Sequence, residues 1–111
     1  MSTKTFTKEE FIRDDDGTLM VSLMLRRSIR AGTVTVASSA TKIPTTPLDS
    51  RIAILIMNIS ANIIYIGGST VTTANGFPIY PNAALRLEIE DSIDIYGIAS
   101  TSSEVRILEG A

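Results

Sequence analysis

The 111-residue chain contains no cysteine, no histidine and no tryptophan. Without cysteine there is no disulfide framework, and the redox compartment cannot be read. Without histidine or cysteine the commonest general base and the strongest nucleophile are both missing, and the serines have no evident activator beyond a lysine. The same absences remove the usual zinc ligands. No apolar run approaches the roughly 18 residues of a membrane-spanning helix. The polar start MSTKTFTKEE does not read as a signal peptide, so synthesis in a cytoplasm is expected, with no membrane partner. Lys and Arg number 10 against 12 Asp and Glu, a formal net charge of −2, which gives no nucleic-acid footprint. The length suits one domain with a single modest core.

What is present is a dense apolar stretch, residues 51–68, RIAILIMNISANIIYIGG. Its β-branched side chains fit a pleated surface better than a helix. It reads as a strand over 52–59, a turn at Ser60-Ala61-Asn62 and a second strand over 63–66, together a β-hairpin. The first strand does not alternate: Ile52, Ile54 and Ile56 point one way, and Ala53, Leu55, Met57 and Ile59 the other. An antiparallel sheet that wets one face alternates. This strand asks for cover on both faces, from a second sheet and then from either a partner chain or the N-terminal segment of the same chain.

Residues 1–30 differ from the remainder. They hold six basic residues (Lys4, Lys8, Arg13, Arg26, Arg27, Arg30) and five acidic ones, net +1, against four and seven, net −3, in residues 31–111. Asp14-Asp15-Asp16-Gly17 reads as a turn whose Asp side chains bond local backbone N–H groups. A calcium loop is the sharper alternative, but no glutamate follows at EF-hand spacing, and no metal is expected. Residues 19–25, LMVSLML, are short enough to be strand or helix; an extended segment is preferred. Thirty extended residues reach up to about 100 Å, so residues 1–30 are read as an arm making inter-subunit contacts. Arg26, Arg27 and Arg30 form a basic cluster, either a solvated edge that blocks strand pairing or a docking site for an acidic protein surface.

Residues 31–111 read as one all-β domain. TVTVA at 33–37 alternates, and residues 38–47 form a connection whose Pro44 and Pro47 exclude a central strand. Residues 67–79 form a long loop with Gly67-Gly68 at one end and Asn75-Gly76 near the other. It matches neither a Walker loop nor a dinucleotide fingerprint, and no helix follows it. Residues 85–90, LRLEIE, alternate most cleanly, and further strands follow at 93–99 and 104–108. Strands separated by regular turn signals point to a small antiparallel β-sandwich or a related barrel.

Five stretches carry a family resemblance: Asn58-Ile59-Ser60; Ile64-Tyr65-Ile66-Gly67-Gly68; Val71-Thr72-Thr73 with Asn75-Gly76-Phe77-Pro78; Ile95-Tyr96-Gly97-Ile98-Ala99; and Val105-Arg106-Ile107-Leu108-Glu109. Together they resemble a small β-domain that recurs in virion proteins of tailed bacteriophages, over about residues 51–109 and excluding the arm. The resemblance implies a non-enzymatic virion component without cofactor. Among such proteins, small ones with an N-terminal arm are similar to capsid decoration (cement) proteins, commonly trimers seated on the lattice of the major capsid protein. That implies a homo-oligomer on the virion surface that stabilises the shell. Candidate partner-binding residues are Phe6, Phe11, Ile12, Arg26, Arg27, Arg30, Phe77 and Tyr80. Similar domains also serve in tail, neck or fibre parts, where loop 67–79 would contact a host glycan or another protein.

One enzymatic alternative is a paired-carboxylate hydrolase using Glu88, Glu90, Asp91 and Asp94. Glu88 and Glu90 alternate with Leu87 and Ile89, the pattern of a solvated strand face. Tyr65, Tyr80, Tyr96 and Phe77 are either a stacking patch for a partner or sugar, or core and interface residues with a polar handle.

Overall fold

The computed structural model describes residues 28–111. The expected arm features at Phe6, Phe11, Ile12, Asp14 to Asp16, residues 19–25, Arg26 and Arg27 lie outside the described residues. Eight strands follow one another: β1 (Ile29–Val36), β2 (Thr41–Lys42), β3 (Ala53–Asn58), β4 (Ile64–Gly67), β5 (Phe77–Ile79), β6 (Ala84–Leu87), β7 (Tyr96–Ala99) and β8 (Ser103–Gly110). They form two four-stranded sheets, a first in the order β1-β8-β3-β6 and a second in the order β2-β7-β4-β5. Every pairing is antiparallel. The all-β sandwich read from the strand rhythm is the fold observed.

Alternation explains how the layers close. In β8, Ser103, Val105, Ile107 and Glu109 are buried while Arg106 and Leu108 are exposed; in β3, Ile54, Ile56 and Asn58 are buried while Leu55 and Met57 are exposed. The inward residues of the first sheet meet Ile64, Ile66, Ile79 and Ala99 of the second in one continuous core, the arrangement of face-to-face sheets. Small residues on β7 make room: a Cβ on Gly97 would stand 2.6 Å from the Ile43 Cδ1 atom, so Ile43 packs where a side chain would otherwise be.

The expected hairpin at residues 52–66 is not what forms. Strand β3 lies in the first sheet, between β8 and β6, and β4 lies in the second, between β7 and β5. The connection at 59–63 therefore crosses from one layer to the other. Its organiser is the fully buried Asn58. The Asn58 Oδ1 atom accepts the Ser60 backbone N–H at 2.9 Å and the Ser60 hydroxyl at 2.7 Å. Its Nδ2 donates to the Asn62 carbonyl at 2.6 Å and the Ile79 carbonyl at 2.8 Å. A ladder hairpin would offer these carbonyls strand partners; here one side chain supplies them and fixes the corner. The true hairpin is β4–β5, with Ile64 opposite Ile79 and Ile66 opposite Phe77.

Candidate functional site

The described domain presents three sites with distinct chemistry: a buried ionic pin, an aromatic sheet edge and an apolar outer face.

Glu109, Arg30 and Arg51 each fall in a stretch that the sequence singles out, but nothing in the sequence joins the three into a pin. Alternation along β8 turns Glu109 inward, where a carboxylate needs partners. It finds two guanidinium groups. Arg51 Nη1 donates to Glu109 Oε2 at 3.1 Å, with both side chains fully buried. Arg30 donates to Oε1 through Nε at 3.1 Å and Nη2 at 2.6 Å, and the Leu48 N–H donates to Oε2 at 3.1 Å. Arg51 also donates to three carbonyls, Nε to Ile89 at 3.2 Å and Nη2 to Glu90 and Ile93 at 2.8 and 2.9 Å. The network holds two loops, 44–50 and 88–95, onto the first sheet. Its partners among the described residues tie β1, β8 and the two loops together. Arg30, expected to contact a partner, sits in β1 with its guanidinium on Glu109 and the Thr46 carbonyl. Strand β1 itself starts at Ile29, so Ile29 and Arg30 are part of the sandwich.

The four carboxylates weighed for hydrolysis have separate neighbours. Glu88 pairs with Arg86 at 3.2 Å and Asp94 with Lys42 at 3.4 Å. Asp91 accepts the Ser50 N–H at 2.8 Å, and Glu90 accepts the Ser92 hydroxyl at 3.2 Å. Among the described residues no group of three His, Cys, Asp or Glu side chains could hold a metal ion.

Phe77 and Tyr80 are both exposed, at 61% and 58%. Phe77 opens and Tyr80 directly follows β5, the short outermost strand of the second sheet. The loop leading into it is tightly tied: Asn75 Oδ1 accepts the Thr72 N–H at 2.8 Å, and the Gly76 N–H donates to the Thr72 carbonyl at 2.9 Å. A Cβ at Gly76 would stand 2.5 Å from the Tyr65 Cβ, so the loop packs its backbone directly on β4. Tyr65 and Tyr96 are half-buried and do not share the exposure of Phe77 and Tyr80.

The third site is the outer face of the first sheet. Register places Leu55 between Leu108 and Arg86, and Met57 between Arg106 and Ala84. Leu55, Met57 and Leu108 are 38%, 39% and 41% exposed, and Ile29 at the start of β1 is 69% exposed. Ile29, Ala53, Leu55 and Leu108 line a shallow hollow of about 330 Å³ with Arg86 at its border. Arg86 and Arg106 each pair with a carboxylate two residues away, Glu88 and Glu104, at 3.2 and 3.3 Å. The surface is apolar in the middle with paired charges around it, the anatomy of a contact patch. The lack of alternation at Leu55 and Met57 is the signal that foretells it.

Comparison with protein-family models, with curated proteins and with solved structures finds no match for the chain.

Proposed function

We propose that the protein is a bacteriophage virion structural protein, a capsid decoration protein that oligomerises, commonly as a trimer, and binds the lattice of the major capsid protein. The observation that carries this reading is the apolar outer face of the first sheet, at whose border the chain leaves the sandwich toward residues 1–27. Such a face is stable when something covers it. The five stretches that resemble phage virion domains support the fold side of the reading. Asn58 and Ser60 form the inter-sheet corner, and Thr72, Asn75 and Gly76 form the β4–β5 loop. These residues build the sandwich, so the arm and the outer face are what favour the shell over another virion part.

The mechanism is mechanical. An oligomer that straddles several capsid subunits adds contacts that must break together, and once one contact engages, the others act at high effective concentration. Ordering the arm on a neighbour extends the interface at the entropic cost of fixing it. Co-sedimentation with undecorated shells tests the proposal: binding at a fixed ratio supports it, and protein that stays in the supernatant at every concentration contradicts it.

A second reading rests on the exposed Phe77 and Tyr80 beside an edge strand. They suit a tail or fibre module that stacks a glycan or a partner's side chains. Such a module would show a ligand-dependent rise in melting temperature and no affinity for shells.

A further inference from the structure

The first sheet has one long open edge. Strand β1 spans eight residues, whereas the other outermost strands, β2, β5 and β6, span two, three and four. Strand β5 also carries Pro78, which cannot donate to an added strand. The direction of the free backbone groups on β1 follows from its pairing. Ser28 and Ala111 exchange both hydrogen bonds, at 3.1 and 2.9 Å. Bonded pairs recur at every second residue of an antiparallel ladder. Arg30, Gly32 and Val34 therefore bond β8, and Ile29, Ala31, Thr33 and Thr35 turn their N–H and C=O groups to the open side. These groups have no backbone partner among the described residues. A groove of about 520 Å³ runs along this edge, closed on its far side by Thr41, Lys42 and the Pro44 to Thr46 segment.

Proteins protect such edges with lysine, proline, inward charge or a covering segment. Strand β1, IRAGTVTV, has neither lysine nor proline, and its one charge, Arg30, is bound to Glu109. We infer that residues 19–25 of a second copy of this chain add as a strand along the open edge of β1. The sequence LMVSLML is uncharged and nearly as long as β1. As a strand it would place Leu19, Val21, Leu23 and Leu25 on one face and Met20, Ser22 and Met24 on the other. With the leucines outward, the apolar face that holds Ile29, Leu108 and Leu55 becomes one strand wider. The methionines and the serine then turn to the groove, where Gly32 leaves room.

The same segment of the same chain fits poorly. Folding back onto β1 would require a reversal within Arg26-Arg27-Ser28, which contains no glycine, asparagine or aspartate to adopt the left-handed conformation of a tight turn. Ser28 is moreover already committed to extended pairing with Ala111. A neighbour's segment meets neither obstacle, and main-chain pairing of this kind is a general mode of strand capture. Passed from copy to copy around a ring, it closes an oligomer. The inference rests on the homo-oligomer in the proposed function and requires no shell.

The test uses the full chain and two proline substitutions. Thr33→Pro removes an N–H that faces the open side, so the β8 ladder is kept while an added strand is blocked; Val21→Pro damages the donated segment. The expected result is an oligomer for the unaltered chain by light scattering, and the single-chain mass of 11.9 kDa for each variant, with cooperative melting retained. Mixing the two variants should restore association, because Thr33→Pro still donates an intact segment and Val21→Pro still offers an intact edge. Amide exchange at Ala31, Thr33 and Thr35 in the unaltered chain gives a readout without substitution: slow exchange in the oligomer is expected. An unaltered chain that is monomeric, variants that keep the oligomer mass, fast exchange at these amides in the oligomer, or a mixture that stays monomeric would each overturn the inference. Failure to bind shells would leave these readouts unchanged, so the two ideas can fail separately.

Discussion

The two faces of the first sheet are made by alternate residues of the same strands, yet they obey opposite rules. On the inner face even the charges are answered: Glu109 meets Arg51 and Arg30, and Asn58 spends both ends of its carboxamide on the corner it builds. On the outer face Leu55, Met57 and Leu108 have, among the described residues, their strand neighbours for contacts, and the charged side chains beside them pair locally. Burial with charges and amides paired makes a face that stabilises the domain. Apolar exposure on the sheet's outer face is, under the proposed function, what a docking surface requires. Substitutions on the two faces should therefore separate into those that change folding and those that change association.

The largest effect is expected from Glu109→Ala, which leaves the Arg51 guanidinium buried without its partner. Breaking a buried pair from one side costs about 3–5 kcal/mol, enough to unfold a domain of ordinary stability, and denaturant titration measures it. The double substitution Arg51→Met with Glu109→Leu should recover much of that loss, since an apolar pair of similar volume carries no orphaned charge. Ile56→Ala, in the fully buried centre of β3, should cost about 2–5 kcal/mol through lost transfer energy and the cavity left behind. Asn58→Ala strands the Ser60 N–H and removes the side-chain donor to the Ile79 carbonyl at the corner, for about 1–3 kcal/mol per group left unpaired, while the Asn62 carbonyl keeps the Ser60 hydroxyl; hydrogen exchange should rise first around residues 59–63. Smallest for folding, and largest for association, is Leu55→Lys: its stability should change by about 0.5 kcal/mol or less, while attachment to shells is lost. If Leu55→Lys were as destabilising as Ile56→Ala, the contrast between the faces would be wrong.

Much of this contrast is legible in the amino-acid sequence. The alternation of residues 85–90 and 104–108 marks the inward residues of β6 and β8, and the failure to alternate at Leu55, Met57 and Ile59 marks a second face that asks for cover. The buried pin is within reach as well, because the same parity that turns Val105 and Ile107 inward turns Glu109 inward with them. The crossing between β3 and β4 is not legible. Ser60-Ala61-Asn62 has the composition of a hairpin turn and of a corner alike, and periodicity does not record which sheet a strand joins. What decides it is the reach of one carboxamide, from Asn58 to a carbonyl 21 residues away, a tertiary contact with no local sequence pattern. Phe77 and Tyr80 are exposed as a partner-binding reading requires. Arg30 bonds Glu109, which stands directly opposite it in the β1–β8 register, while its side chain keeps 41% exposure.

The arrangement also corrects how the arm should be removed. Cutting after residue 30 would take Ile29 from β1 and Arg30 from Glu109, confounding attachment with stability. A chain beginning at residue 28 keeps the strand and the pin and isolates what residues 1–27 contribute; it should melt close to the full chain and bind shells much more weakly. Equal binding with and without residues 1–27 would leave the arm no part in attachment.

Whether the outer face is a docking surface for the shell is decided by co-sedimentation of the full chain and of Leu55→Lys with undecorated capsid shells, each checked beforehand for cooperative melting. The full chain should pellet with shells at a fixed ratio that saturates, and the folded Leu55→Lys chain should remain in the supernatant. A full chain that ignores shells, or a variant that pellets as well as the full chain, would contradict that role.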